Sequence, residues 1–217
     1  MLKREKQSRL EIMARFAEER ECLCGGQWLK LALETLHNNG IERNDFAASV
    51  IAALEGGRKK GTNLFIKGEG NCGKSFLFYP LKEIFDCFSN PPSSTFNWIG
   101  VEKSEVIFLN DFRWTPTILP LSQLLQPLEG DEVNFPTPKN HWQKNIHFVR
   151  DSPVFATSSD EIISNKIGPL MLKETKMMRL RWKVYAFTHE IPEDKVCEQK
   201  PCGVCFTKLI YDPEHFF

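Results

Sequence analysis

The stretch "GEGNCGKSF", residues 68 to 76, places glycines, a lysine and a serine at the spacing G-x-x-x-x-G-K-S. Each residue type suits phosphate chemistry. Gly68, Gly70 and Gly73 let the backbone wrap closely around an anion, Lys74 can reach the outer phosphates, and Ser75 can ligate Mg²⁺. The apolar run in "NLFIKG" precedes the loop and "KSFLFYPLKEIFDCF" follows it. A strand, a glycine-rich turn and a helix N-terminus then aim backbone N–H groups and a helix dipole at one anion. The nucleotide-binding set expected here is Gly68, Glu69, Gly70, Asn71, Cys72, Gly73, Lys74, Ser75 and Phe76.

Hydrolysis also needs a carboxylate to hold the metal or activate water. The apolar run "VIFLND" ends in Asp111, which we expect to serve both tasks, with Ser75 as its partner in holding Mg²⁺. Glu102 and Glu105 are auxiliary candidates. Asn110 stands where a second acid would be useful. The competing reading of Asp111 is a residue that merely caps a strand end.

Cysteine offers a second chemistry. The chain has seven, an odd count, and one lies inside the glycine-rich loop, which favours a reducing, intracellular setting. "CGVC" gives the C-x-x-C spacing of one side of a tetrahedral zinc site. Cys22 and Cys24 could join Cys202 and Cys205, or Cys197 and His189 could complete the set; buried or free thiols are the alternative. A site formed by Cys22, Cys24, Cys202 and Cys205 would staple the N-terminal helices to the tail.

These residues need elements to position them. Residues 1 to 20 are helix-prone, and "GQWLKLALETLHNNG" carries Trp28, Leu31, Ala32 and Leu36 at helical spacing before Asn-Gly ends it. "NDFAASVIAALEGG" reads as a third helix stopped by paired glycines. From residue 60 the pattern changes to short continuous apolar runs, as in buried parallel strands: "NLFIKG", "EVIFLND" and "PVFATSS". "KSFLFYPLKEIFDCF" reads as one helix, "PLSQLLQPLEGD" as a short one, and "EVNFPTPKNHWQKNIHFVRDS" as two strands around a polar turn. "KMMRLRWKVYAFTHEI" closes in a strand. The division expected is a helical subdomain at 1–59, an α/β phosphate-loop core at 60–190 and a cysteine-bearing tail at 191–217.

Composition narrows the partners little. Lys plus Arg and Asp plus Glu both number 28, so any contact with nucleic acid must come from local patches. No apolar run approaches the roughly 20 residues of a membrane span, and the charged N-terminus lacks a signal-peptide core. We therefore expect no membrane partner and an intracellular location.

Phosphate-loop classes separate on other residues. A guanine clamp N-K-x-D would need an Asp where "NKIG", 165 to 168, has glycine, so ATP is favoured over GTP. A small-molecule nucleoside or nucleotide kinase usually starts near its phosphate loop and carries an Arg-rich lid, whereas 67 residues precede this one.

The form "GEGNCGKS" resembles the G-x-x-N-x-G-K-S loop of superfamily 3 helicases, the compact AAA+ ATPases of papillomavirus, polyomavirus and parvovirus replication proteins and related mobile elements. "VIFLND" and "PVFATSS" follow in that family's order, as its Walker B strand and its motif C. The resemblance spans residues 60 to 190 and implies an AAA+-like fold with ATP and Mg²⁺ as cofactors. It implies a ring homo-oligomer, a hexamer, that hydrolyses ATP to unwind or translocate DNA. Ser159 stands at the family's γ-phosphate-sensing position, usually Asn. "MRLRWKVYAF" resembles the segment bearing the arginine finger that acts on a neighbouring subunit, with Arg181 first and Arg179 second. "PKNHWQKN" is similar to the tip of the family's DNA-gripping β-hairpin, with single- or double-stranded DNA meeting Lys139, His141, Trp142 and Lys144. Lysines neutralise phosphates and the indole offers a face for a base. A packed, solvated turn is the competing reading of that tip. A nucleotide-binding oligomerisation module without unwinding activity is the other class kept open, beside the kinase.

Overall fold

Alternation in the buried strands sorts the core into two layers. In a computed structural model describing residues 7–89, 98–113, 120–135, 145–162, 169–195 and 199–211, Leu64 and Ile66 face one cluster of apolar side chains and Phe65 the other. Phe108 and Phe155 join the first cluster, while Ile107, Leu109, Val154 and Ala156 join the second. Side chains two apart share a face of a strand, so a strand buried on both faces is apolar throughout.

The strands are β1 (Asn63–Gly68), β2 (Cys87–Ser89), β3 (Val106–Leu109), β4 (Val133–Phe135), β5 (Ile146–Phe148), β6 (Val154–Ser158) and β7 (Trp182–Phe187). Five of them form one sheet in the order β2-β3-β6-β1-β7, with every neighbouring pair parallel. The fold is therefore α/β, built on a five-stranded parallel sheet. β4 and β5 form a separate antiparallel pair, in the register Val133↔Phe148.

Three N-terminal helices, α1 (Arg9–Glu19), α2 (Gln27–Asn38) and α3 (Arg43–Gly56), cover the first face. A capping box starts α1: the Ser8 hydroxyl accepts from the Glu11 N–H, and the Glu11 carboxylate accepts from the Ser8 N–H. α3 stops at Gly57, where a Cβ would sit 2.1 Å from the Asp151 carbonyl oxygen. Phe78 packs against Phe46 of α3, Phe108 and Phe155, with ring centroids 5.1–6.2 Å apart, joining this helical layer to the sheet.

The segment after the glycine-rich loop differs from the single helix expected. It forms α4 (Lys74–Phe78), then α5 (Leu81–Ile84), then β2. Pro80 has no N–H to continue the hydrogen-bond ladder. The chain then turns extended at Phe85, and the Asp86 N–H is taken by the Glu105 carboxylate at 2.9 Å, which starts the β2–β3 pairing.

Helices α6 (Leu121–Glu129) and α7 (Pro169–Arg179) lie on the second face, where Leu124, Leu128, Met178 and Trp182 are buried. The C-terminal segment adds a helix that the sequence pattern did not yield, α8 (Gly203–Ile210). Its Val204, Phe206, Leu209 and Ile210 are buried in the same cluster as Ile12, Trp28, Leu36 and Val50 of α1, α2 and α3. α8 thus contributes to the core shared by the N-terminal helices and the sheet. Among the described residues no helix is long and apolar enough to cross a membrane.

Candidate functional site

The glycine-rich loop leaves the C-terminal end of β1, where open parallel sheets bind ligands. Gly68 pairs with Phe187 of β7, and a Cβ there would meet the Phe187 carbonyl oxygen at 2.3 Å. Asn71 takes a left-handed φ of 54° and Gly73 one of 79°. Asn is among the few side chains that tolerate that region, which gives Asn71 a backbone role. Its carbonyl accepts from the Ile191 N–H at 2.9 Å, tying the loop to the segment after β7. The Lys74 ammonium donates to the Glu69 carbonyl across the loop. Cys72 is buried, its sulfur 3.3 Å from the Gly70 carbonyl oxygen, and burial pushes its thiol pKa up. Phe76 stacks on Trp28 of α2 with centroids 5.0 Å apart.

A cavity of about 540 Å³ opens beside the loop, between α2 and the segment after β7. Leu31 and Thr35 line one wall, Ile191 and Pro192 the opposite wall, and Asn71 and Gly73 the floor. This volume and mixture suit a small organic ligand with a few polar contacts. Asn39 fixes the walls relative to each other: its side-chain oxygen accepts from the Thr188 and His189 N–H groups at 2.8 and 2.9 Å.

The ends of β3 and β6 bring a polar chain to the loop. The Ser75 hydroxyl donates to the Asn110 side-chain oxygen, which also accepts from the Thr157 hydroxyl at 3.0 Å. Thr157 in turn accepts from the Asp111 N–H at 3.1 Å. The Ser75 hydroxyl is thus taken by Asn110, and Asp111, the other residue expected at Mg²⁺, makes no direct hydrogen bond to it. The physical reason is a turn: Asp111 adopts φ 50°, which directs the chain back over β6, where the Phe112 N–H meets the Thr157 carbonyl at 2.7 Å. The Asp111 carboxylate is more than half exposed and lies 3.3 Å from the Arg113 guanidinium. Arg113 also faces Asp160 at 3.9 Å. Ser159 follows β6 and is half-buried. Glu102 and Glu105 precede β3, at the opposite end of that strand from Asp111, so they are not neighbours of the loop chemistry.

Arg181 also departs from expectation. It precedes β7, at the end of the sheet away from the glycine-rich loop, and is 5% exposed. Its guanidinium pairs with Glu129 and donates to the Met177 carbonyl. A group that reaches a neighbouring subunit must be free at the surface, and Arg181 is a buried tie between α6 and the α7–β7 turn. Arg179 is 59% exposed and contacts Glu161 at 3.3 Å, and Glu161 also pairs with Lys67 of β1.

Lys139, His141, Trp142 and Lys144 lie outside the described residues, in the connection between β4 and β5. The base of that hairpin is held by Arg58, a buried residue that sequence reasoning missed. Its guanidinium donates to the Asp131 and Arg150 carbonyls, both at 2.6 Å, and sits 4.2 Å from the centre of the Phe148 ring.

Four of the cysteines converge where the turn before α2 meets the start of α8. The sulfurs of Cys22, Cys24, Cys202 and Cys205 all lie within 4.8 Å of one another. Cys197 is outside the described residues, and His189 lines the cavity instead.

The fold has neighbours among solved structures. Two apo structures of the C-terminal region of NrS-1, one described as residues 305–718, match 88% of this chain with a TM-score of 0.51. Identity is 15% and 16%, a likeness of fold alone, and this chain spans 42–43% of the length of those structures. No protein-family model matches the chain, and no curated protein matches it.

Sequence reasoning also passed over Thr157 and Arg113. Thr157 was legible only as part of "PVFATSS", and Arg113 stands two residues past the expected acid with nothing in its neighbours to mark it.

Proposed function

We propose that this chain binds MgATP and hydrolyses it, as the ATPase core of a superfamily 3 type, ring-forming DNA helicase or translocase. One observation carries the nucleotide reading: the glycine-rich loop, the Ser75–Asn110–Thr157 hydrogen-bond chain and the cavity meet at the C-terminal ends of adjacent parallel strands. The residues fit the cofactor. The loop would hold the phosphates, with Lys74 supplying the charge and Ser75 with Asn110 lying beside the metal position. The cavity between Leu31 and Ile191 would take the base. Bound MgATP supplies the γ-phosphoryl group that passes to water. Asp111 is the exposed carboxylate at the end of β3 able to accept a proton from that water, and the Arg113 guanidinium lies 3.3 Å from it. DNA unwinding, the hexameric ring and a nuclear setting rest on the resemblance of the motifs.

A second reading has its own observation. Asn110, a neutral amide, takes the Ser75 contact where a carboxylate would hold a metal more strongly, and Arg181 is buried. Both favour a nucleotide-binding oligomerisation module that turns over slowly or not at all.

ATP turnover measured with and without single-stranded DNA, beside a mass measurement of the assembly, separates these. The helicase reading expects DNA-stimulated turnover that Lys74→Ala abolishes. ATP binding without turnover supports the module, transfer of phosphate to a small acceptor supports the kinase, and wild-type turnover by Lys74→Ala overturns the loop's role.

A further inference from the structure

We propose that Cys22, Cys24, Cys202 and Cys205 ligate one Zn²⁺ ion as a four-thiolate structural site. The sulfur separations fit such a site. Zn–S bonds of about 2.3 Å at tetrahedral angles set the sulfurs about 3.8 Å apart. Cys22 lies 3.5 Å from Cys24, 3.3 Å from Cys205 and 3.9 Å from Cys202, and Cys24 lies 3.4 Å from Cys205. A disulfide would join sulfurs in pairs at about 2.0 Å. Here each thiol is instead near the other three, which is the arrangement of a ligand shell.

The surrounding backbone explains how the chain brings them together. Between the first two cysteines Leu23 is 95% exposed, so its neighbours on either side turn inward together. Gly25 and Gly26 follow with φ of 57° and 85°, and a Cβ on either meets nothing within 4 Å. This left-handed pair turns the chain directly into α2. On the other side Cys202 is the N-cap of α8 and Cys205 lies in its first turn. Gly203 seats that helix: its N–H donates to Glu83 at 2.7 Å, and a Cβ would meet the Phe16 ring at 2.5 Å.

Charge also suits a metal–thiolate centre. Four thiolates and Zn²⁺ carry a net charge of −2, and two helix N-termini, those of α2 and α8, face the cluster with their positive ends. Zinc is the choice within the soft-metal class because a d¹⁰ ion tolerates irregular spacing, here C-x-C and C-x-x-C. The ion would tie α2 to α8 across nearly the whole length of the chain. On the nucleotide reading, it would also steady the base cavity, because α2 sets Trp28 against Phe76 and Thr35 against Gly73.

The test is metal analysis of the full chain purified under reductant. One zinc per chain is expected, and cobalt substituted for it should show sulfur-to-cobalt charge-transfer absorption. Cys22→Ser and Cys205→Ser should each lose most of the metal, while Cys87→Ser, a thiol outside the cluster, keeps it. If the serine variants fail to fold, wild-type protein serves instead: a chelator with a mercurial should release zinc and expose the segment at 20–26 to protease. Less than about a tenth of an equivalent of metal with the four thiols freely titratable, iron in place of zinc, or two disulfides among these residues would each overturn the assignment. ATP binding is measured on the same zinc-loaded sample. Protein that holds zinc and no nucleotide leaves the metal site standing and removes the nucleotide reading.

Discussion

The Ser75 hydroxyl donates to the side-chain oxygen of Asn110, and that oxygen also accepts from Thr157. The ends of β3 and β6 and the start of α4 are thereby linked through one neutral amide at the position nearest the serine of the glycine-rich loop. A carboxylate in the same place keeps both acceptor contacts and adds a full charge toward a divalent ion. Asn110→Asp is therefore expected to lower the Mg²⁺ concentration that half-saturates nucleotide binding by about tenfold, or about 1.4 kcal/mol. Titrating Mg²⁺ against fluorescent nucleotide binding checks this, and an unchanged midpoint would place the metal elsewhere.

Asp111 differs from Asn110 in what it can do. It is exposed, takes no contact from Ser75 and faces Arg113. A group that accepts a proton from water typically contributes 10²- to 10⁴-fold in rate. Asp111→Asn should thus slow steady-state ATP turnover by about 100-fold or more while leaving the nucleotide dissociation constant within about twofold. Turnover at the wild-type rate would remove Asp111 from the mechanism.

The parts of this site that were legible in the sequence are those fixed by local chemistry. The loop spacing needs glycines at set positions, and the apolar runs of β1, β3 and β6 announce strands buried on both faces. The cysteine set was legible because thiols at short spacing are few. What sequence could not give was direction. Nothing in "LND" says that Asp111 takes a positive φ and turns away from Ser75 while Asn110 turns toward it. Nor does "MRLRW" say which arginine is buried, because α7 ends at Arg179 and the tight turn into β7 carries Arg181 under α6. α8 escaped because it is only eight residues long and seven of them are buried, a short apolar run that periodicity alone does not mark as a helix.

The two arginines give a clean contrast. Arg181 is buried with Glu129, which keeps a second partner in Lys60 at 2.9 Å. Arg181→Ala should destabilise the fold by about 3 kcal/mol, the low end for breaking a buried pair, with a fall in Tm of roughly 6–12 °C. Arg179 is exposed, and Arg179→Ala should move Tm by less than about 2 °C. If Arg179 acts on a neighbour's nucleotide, that variant loses most of its turnover in the assembled state while retaining nucleotide binding. Thermal melts beside turnover assays of both variants check the assignment, and equal melting losses would contradict it.

Glu161 gathers Lys67 of β1 and Arg179 of α7 at one carboxylate. The hydrogen bond from Lys67 is the main influence and, with the smaller contribution of Arg179, holds the Glu161 carboxyl below its ordinary pKa of 4.5, against an opposing push from partial burial. A carboxyl with a lower pKa folded than unfolded binds fewer protons in the native state. Its stabilising contribution is therefore complete above about pH 4.5 and disappears as pH falls through the lowered folded value. Because the pair is partly exposed, the effect is small: Glu161→Gln should lower Tm by about 1–3 °C at pH 7. As pH falls below the folded value the wild-type and variant melting temperatures should converge. Melts from pH 7 down to about pH 3 test this, and a difference that persists or widens at the acid end would show that Glu161 acts through packing and not through its charge.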